Sequence, residues 1–346
     1  MITNAWWTEV SGPSRFIAAV ADEAAAQKSV ILSVPAEMPF EADFIRVLTE
    51  SLQREFSGHS VIYISSAEGS APGYFMRKCC KREARAAFRP KPGYTEAHFL
   101  AETEKATMHG GCFIVDIRDS SEVTEWTSFI SAYLSAVRGS IIPATFVVLC
   151  RGEKNVRQVK GLKSIRYADF TSQFDTYAYC AIRASQINER NEIKTYLADL
   201  AASITGGNAE HAETALYVYR EFLDDPIRFM INHFPGETYD ADALGRLVWE
   251  SQLKCIFPLL ERYRCRFVEK YSDGIERFLP LENPLGDDYT AASDVELGSL
   301  LYLSRNGLKI DTEDYVRLKK MSVARNDLAH LTVLSIDAVR EILGDV

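Results

Sequence analysis

Close to its C-terminus the chain reads Arg325-Asn326-Asp327-Leu328-Ala329-His330, and the fold predicted for the C-terminal part depends on this stretch. Apolar residues recur at helical intervals through residues 314–324, directly before it. A second helical pattern covers residues 336–343, after a short interruption. The spacing therefore predicts a helix that carries the stretch, a break and a final helix.

Three polar side chains of this stretch have complementary chemistry. Successive residues of a helix are rotated by about 100°, so Asn326 and His330 share one face, and the long side chain of Arg325 can reach it. Histidine changes charge near neutral pH and serves as a general acid or base. Arginine stays charged and binds phosphate through paired hydrogen bonds. The set suits metal-independent RNA cleavage, in which His330 moves a proton, Arg325 holds the scissile phosphate and Asn326 orients either.

The order of an Arg, a polar residue, three further residues and a His resembles the signature motif of the HEPN superfamily. These are small all-α domains found in many prokaryotic ribonucleases of defence and toxin systems. The resemblance implies that residues 241–346 form such a domain, with Arg325, Asn326 and His330 as catalytic residues and RNA as substrate.

The resemblance also implies partners and a biological setting. HEPN domains usually dimerise so that two motifs face each other across one groove, so we expect a homodimer or an operon-encoded protein partner. The expected role is an effector subunit of a bacterial antiphage or toxin–antitoxin system. Many HEPN-like domains are inactive, so a non-catalytic adapter or scaffold subunit stays open as the alternative.

The C-terminal domain begins with a long helical pattern over residues 241–271, which Pro258 is expected to kink. Glu261 and Arg264 lie just beyond, and a Glu/Arg pair on a long first helix recurs in HEPN-like domains. Both are therefore candidates to support the motif helix, or they form a surface ion pair worth about 0.2–0.5 kcal/mol. Short polar side chains predict caps for the next two helices: Ser293-Asp294 and Asp311-Thr312.

The first part of the chain has a different pattern, in which short apolar, β-branched runs alternate with helical segments. Such runs are typical of buried strands, and the alternation predicts a parallel α/β sheet with right-handed crossovers. The predicted strands are residues 29–35, 60–65, 112–117, 145–150 and 165–168.

This layout is similar to that of P-loop NTPases of the AAA or STAND kind, and residues 113–116 resemble a Walker B strand ending in Asp116. The loop after the first strand departs from the Walker A motif. Residues 34–43 contain no Gly, Lys or Thr, but two Pro and three acidic residues, which disfavour phosphate binding. We therefore predict a degenerate P-loop-like domain that binds no nucleotide, or an ordinary α/β domain. Asp116 is expected to cap a turn with Arg118 and Asp119.

Proline, glycine and turn residues divide the chain into three predicted parts. Residues 1–185 form the α/β domain, residues 186–240 a helical lid or connector, and residues 241–346 the all-α domain. The last boundary lies near Pro235-Gly236.

Composition limits the classes of function. The chain is 47% hydrophobic and 25% charged, as in ordinary globular proteins, and no apolar run approaches a membrane span. The N-terminus lacks the charged and apolar regions of a signal peptide. Seven scattered Cys, an odd number without a C-x-x-C pair, indicate reduced thiols rather than a metal site. We expect a cytoplasmic protein without metal, cofactor or membrane partner.

One segment contrasts with the net charge of −9, which argues against affinity for nucleic acid over the whole surface. Its cations are Arg77, Lys78, Lys81, Arg82, Arg85, Arg89 and Lys91. This segment is either a solvated helix face with a trailing loop or a patch for RNA, DNA or an acidic partner.

Overall fold

The computed structural model describes residues 5–56, 58, 60–104, 106–152, 157–282 and 288–344. The chain divides into two compact units, Met1–Asp175 and Thr176–Val346. The first contains a parallel sheet with flanking helices, and the second is mainly helical. The predicted fold class, a parallel α/β region followed by a helical one, is confirmed.

The sheet of the first unit has five strands that all run parallel. They are β1 (Ser29–Val34), β2 (Val61–Ser65), β3 (Cys112–Ile117), β4 (Thr145–Arg151) and β5 (Leu162–Arg166). Their spatial order is β2-β3-β4-β1-β5. The three central strands are buried at every position, as expected for strands covered on both faces.

Helices connect these strands. They are α1 (Ala5–Thr8), α2 (Ser11–Ala25), α3 (Glu41–Glu55), α4 (Ala71–Cys79), α5 (Arg82–Ala87), α6 (Glu96–Glu102) and α7 (Val123–Ala136). Aromatic side chains fill much of one core, where the ring of Phe75 lies 5.4 Å from Phe113 and 5.2 Å from Phe129. Because Phe75 belongs to α4, this helix is anchored to the sheet by its apolar side.

The second unit is built from nine helices in the part that the structure describes. They are α8 (Gln173–Ser185), which starts in the last residues of the first unit, α9 (Asn191–Ile204), α10 (Ala209–Tyr217), α11 (Tyr219–Asp224), α12 (Pro226–His233), α13 (Ala241–Glu276), α14 (Leu297–Arg305), α15 (Thr312–Ala329) and α16 (Ile336–Gly344). A short hairpin joins β6 (Leu281–Glu282) to β7 (Asp288–Tyr289). One hydrophobic cluster runs from α8 to α16, so residues 186–240 share their core with the rest of the unit.

The longest helix, α13, departs from our expectation of a kink at Pro258. Its non-helical backbone lies at Tyr271, with φ −116° and ψ 19°. The Tyr271 hydroxyl donates to Asp314, 2.5 Å away, and Lys270 Nζ lies 2.6 Å from the same carboxylate. These contacts tie the end of α13 to the start of α15. Asp311 stands at the N-cap position of α15, but its side chain bonds Lys270 and Tyr271 and does not cap the helix, which corrects that prediction.

The carboxyl edge of the sheet contains a buried ion pair. Arg151, at the end of β4, donates to Asp116 of β3 through Nε at 2.7 Å and through Nη2 at 3.0 Å. Tyr63 of β2 donates to the same carboxylate at 2.5 Å. Asp116 is fully buried and therefore requires such partners. The predicted turn cap is thus corrected, because Asp116 joins neighbouring strands while Asp119 alone caps the next turn.

The charge on Asp116 is maintained by its neighbours. Burial opposes ionisation, but the hydrogen bonds from Arg151 and Tyr63 outweigh it, and the pKa of Asp116 lies below its ordinary value. Burial, together with the bond to Asp116, raises the pKa of Tyr63 to about 12. Tyr63 therefore keeps its proton at neutral pH and donates it to the carboxylate.

Replacing Arg151 by Met should lower the free energy of unfolding of the first unit by about 3–5 kcal/mol, because Asp116 would stay buried without its main counter-charge. Urea unfolding followed by tryptophan fluorescence measures this, since three of the four Trp lie in that unit. The control is Arg46→Met, which removes a more exposed arginine paired with Asp43 and Glu50. It should cost less than about 1 kcal/mol. Equal losses would refute a special role for the buried pair.

Candidate functional site

The stretch from Arg325 to His330 forms the last turn of α15 and the residue after it. The N–H of His330 donates to the carbonyl oxygens of Asn326 at 3.0 Å and Asp327 at 3.1 Å. Leu331 then has a φ of +60°, in the left-handed region, which ends the helix. His330 therefore stands at the C-terminal end of the helix predicted from the sequence.

Two side chains of α13 fix the segment that contains His330. Trp249 Nε1 donates to the carbonyl oxygen of Leu328 at 2.8 Å. The amide of Gln252 accepts from the N–H of Leu334 at 2.8 Å and donates to its carbonyl oxygen at 2.9 Å. Gln252 is only 2% exposed, so these bonds are shielded from water. Both ends of the segment around His330 are held, and His330 itself remains exposed.

The three motif side chains do not form one cluster. Asn326 and His330 are exposed, and their spacing of four residues places them on the same side of α15. Arg325 is partly buried, and its Nη2 lies 3.3 Å from Oε2 of Glu296. Within residues 288–344, which the structure describes, no hydrogen bond joins these three side chains to one another. The exposed pair and the arginine are therefore adjacent but separately oriented.

Arg325 is incompletely paired. Its Nε is buried and has no hydrogen-bond partner among the described residues. Its one carboxylate contact, with Glu296, uses a single terminal nitrogen. A guanidinium offers five N–H donors, so the greater part of this donor set is available to a phosphate.

Glu261 and Arg264 contact the segment that leads to Glu296. Arg264 Nε donates to Glu261 at 2.8 Å, and its Nη1 donates to the carbonyl oxygens of Ser293 at 2.6 Å and Val295 at 3.4 Å. Burial disfavours the charge on Arg264, but the bond and charge of Glu261 outweigh it and the pKa of Arg264 is raised. The pair thus fixes the turn directly before Glu296, and reaches Arg325 only through that residue.

Glu296 is the residue that sequence reasoning missed. We expected Ser293-Asp294 to cap the helix, but these residues form a short turn and α14 begins at Leu297 with Glu296 at the N-cap position. An acidic residue directly before a helix start is favourable for the helix dipole, and this was the available signal. Trp249 and Gln252 were missed as well, because an indole and an amide on a long helix carry no such signal.

A second candidate region lies at the carboxyl edge of the sheet. The chain leaves β1 toward β2 and leaves β4 toward β5, and open α/β sheets bind ligands where connections diverge in this way. Here Glu41, the first residue of α3, accepts from Arg151 Nη1 at 2.9 Å and pairs with Arg118. Arg118 Nε also lies 3.4 Å from Asp116. A carboxylate of the protein thus binds the arginines and the helix N-terminus that would suit a phosphate.

The basic segment lies between β2 and β3 of the first unit. Arg77 and Lys78 are in the last turn of α4, Lys81 precedes α5, and Arg82 and Arg85 are on α5. The motif of α15 belongs to the second unit, so the sequence-predicted residues are distributed over both units.

Two classes of site were also searched. Among the described residues, no group of three or more His, Cys, Asp or Glu side chains is arranged to hold a metal ion. No helix in the described ranges is both long enough and apolar enough to cross a membrane.

Comparison with known proteins gives no family. No family model matches the chain, and no curated protein matches it significantly. The resemblance to the HEPN superfamily therefore rests on residues 325–330 and their helical setting.

Calorimetry should detect no binding of Mg-ATP or Mg-GTP to the full chain. The acidic residues of the loop after β1 repel phosphate, and Glu41 occupies the arginines of the crevice. An ATP-binding protein titrated in the same buffer provides the positive control. Saturable heat with a dissociation constant of about 1 µM, or −8 kcal/mol, would contradict this prediction.

Arg325 should contribute less to stability than Arg264. Arg264→Met removes bonds to one carboxylate and two carbonyl oxygens and should cost about 1–3 kcal/mol. Arg325→Met removes one partly exposed contact and should cost less than about 1 kcal/mol. Parallel urea unfolding of both variants measures the difference. A larger loss for Arg325→Met would make the motif arginine a structural residue.

Proposed function

We propose that the second unit is a HEPN-like, metal-independent endoribonuclease domain, the effector part of a bacterial antiphage or toxin–antitoxin system. The first unit is proposed to be a degenerate P-loop-like regulatory domain that binds no nucleotide. One observation carries the proposal: His330 is exposed on a segment fixed at both ends by Trp249 and Gln252. A fixed, solvent-facing histidine beside an incompletely paired arginine is suited to acid–base chemistry on a phosphodiester.

The proposed reaction uses the 2′-hydroxyl of RNA as the nucleophile. His330 accepts the proton of that hydroxyl, the 2′-oxygen attacks the adjacent phosphorus, and the bond to the 5′-oxygen of the next nucleotide breaks. Arg325 stabilises the negative charge that develops on the phosphoryl oxygens. The products are a 2′,3′-cyclic phosphate and a 5′-hydroxyl, and the leaving oxygen takes its proton from a histidinium or from water. Asn326, on the face of His330, orients the histidine or the phosphate.

A protein partner, as expected for HEPN-like domains, has a candidate surface on the same helix. α15 and α16 enclose an apolar groove of about 440 Å³, which includes Val316 and Val323, 48% and 50% exposed. Lys319 and Asp327 lie on its rim and have opposite charges. Antiparallel pairing of two copies of α15 about Val323 would place position 319 opposite position 327. We therefore propose a second copy of the chain as the occupant.

The alternative is a non-catalytic adapter, and one observation favours it. Glu296 already binds the Arg325 guanidinium, so the arginine that should hold the phosphate has a carboxylate partner in this structure. In that case the apolar groove of α15 and α16 would be the functional surface, and it would bind another protein of the same complex.

Arg325→Ala and His330→Ala should each remove most RNA cleavage, and the double variant should lose little more, because residues that act on one transition state are not additive. Labelled RNA is incubated with the full chain in EDTA, and its ends are analysed for 2′,3′-cyclic phosphate. Arg277→Ala, which removes another exposed arginine of the same unit, is the matched control and should retain activity. Light scattering on the same samples reports whether the chain dimerises.

The outcomes separate the two candidate functions. Cleavage that requires a divalent metal, or that survives both substitutions, would refute the proposed chemistry. A folded wild-type chain that leaves every RNA intact, alone and with its operon partners, would favour the adapter.

A further inference from the structure

The connection between β2 and β3 has an unusual charge distribution. Residues 77–91 contain seven cations and one carboxylate, Glu83, in a chain whose net charge is −9. We call this segment, together with Tyr94, the basic surface. Six of its seven cations are exposed and the seventh, Arg85, is partly exposed.

None of these seven cations forms an ion pair with a carboxylate of the described residues. Arg77 donates to the carbonyl oxygen of Glu68 at 3.4 Å, and Arg89 donates to those of Ala86 and Phe88 at 2.7 and 2.8 Å. Elsewhere in the same unit, Arg46, Lys163 and Arg166 each pair with an acidic side chain. Acidic residues outnumber basic ones, 48 to 39, so the absence of partners here is a local property of this surface.

The helix at the centre of the basic surface contributes nothing to the core. α5 has no buried residue, and its sequence, Arg82-Glu83-Ala84-Arg85-Ala86-Ala87, has no apolar stripe of large side chains. A helix of this kind is not retained by packing of an amphipathic face. Its position between α4, which is anchored by Phe75, and α6 instead presents Arg82 and Arg85 to solvent.

Aromatic side chains lie beside the cations. Lys91 Nζ stands 5.1 Å from the ring centroid of Tyr94, and the Tyr94 ring lies 6.4 Å from Phe88. Phe88 in turn lies 5.2 Å from Phe99 of α6, which supports the group from below. Sites for single-stranded nucleic acid combine cations that follow the backbone with aromatic rings on which bases stack. An acidic protein would use the cations but would not need the exposed ring.

We propose that the basic surface binds single-stranded RNA, with Arg77, Lys78, Lys81, Arg82 and Arg85 on backbone phosphates and Tyr94 stacking on a base. The choice of RNA over single-stranded DNA rests on the proposed ribonuclease function. The binding does not, since phosphates and bases are common to both. The basic surface would concentrate substrate on the protein without taking part in the chemistry.

The test measures binding of a fluorescein-labelled oligouridine RNA to the full-length chain by anisotropy, in the His330→Ala background so that the probe stays intact. Arg82→Glu/Arg85→Glu should weaken binding more than about tenfold at low salt and reduce the salt dependence by about 0.7 per lost phosphate contact. Tyr94→Ala should weaken it by about tenfold, because stacking on one base is worth about 1–3 kcal/mol. Since α5 has no buried residue, the thermal unfolding of the charge-reversed variant should be unchanged.

The matched control is Arg54→Glu/Arg138→Glu, which makes the same change of net charge at two other exposed arginines of the unit. Its RNA affinity should stay within about twofold of the parent, since long-range charge is screened beyond about 10 Å. Equal weakening by both double variants would overturn the proposal. So would an absence of RNA binding, or displacement of RNA by poly-glutamate at concentrations that bind more tightly than RNA itself, which would assign the surface to an acidic protein.

Failure of this proposal is distinguishable from failure of the ribonuclease. RNA that binds the basic surface but is not cleaved by wild-type protein supports the surface and removes the enzyme. In an active enzyme, Arg82→Glu/Arg85→Glu should raise KM with kcat nearly unchanged, because a docking surface contributes equally to ground and transition states. A fall in kcat with constant KM would overturn the docking role.

Discussion

The first unit depends on the burial of one negative charge. Asp116 has no exposed surface, and a carboxylate in that position is tolerated only with a close counter-charge and filled hydrogen-bond sites. Arg151 and Tyr63 supply these from the two strands on either side of β3, so their register is fixed by the pair as well as by the backbone. Glu41 extends the network to α3, which follows β1. The carboxyl edge of the sheet is thereby held by the protein's own side chains.

The strands of this unit were accessible from the sequence, whereas the network was not. Apolar, β-branched runs located β1, β3 and β4 because central parallel strands are apolar along their whole length. Glu41 was recognised only as an acidic residue that disfavours phosphate. Its contact with Arg151 joins residues far apart in the chain, and such pairs depend on strand order, which periodicity does not determine. The same limit explains why Asp116 was assigned to a local turn.

The candidate site of the second unit shows a similar division. Arg325, Asn326 and His330 lie on one helix, so their spacing alone identified them, and Glu261 with Arg264 followed from a pattern on α13. The residues that hold them act between helices: Trp249 and Gln252 on the segment around His330, and Glu296 on Arg325. Helix propensity also placed the irregularity of α13 at Pro258, but tertiary hydrogen bonds of Tyr271 determine it.

Comparison of the arginines separates structural from functional roles. Arg151 has every nitrogen engaged by a carboxylate and is buried, so no external anion can compete for it without exposing Asp116. The cations of the basic surface have no carboxylate at all. Arg325 is intermediate, with one contact to Glu296 and an unpaired Nε. A phosphate that replaced Glu296 would exchange one charge-assisted hydrogen bond for another, and the guanidinium would need little further desolvation. Binding there would therefore depend mainly on how readily Glu296, itself half exposed, moves into solvent.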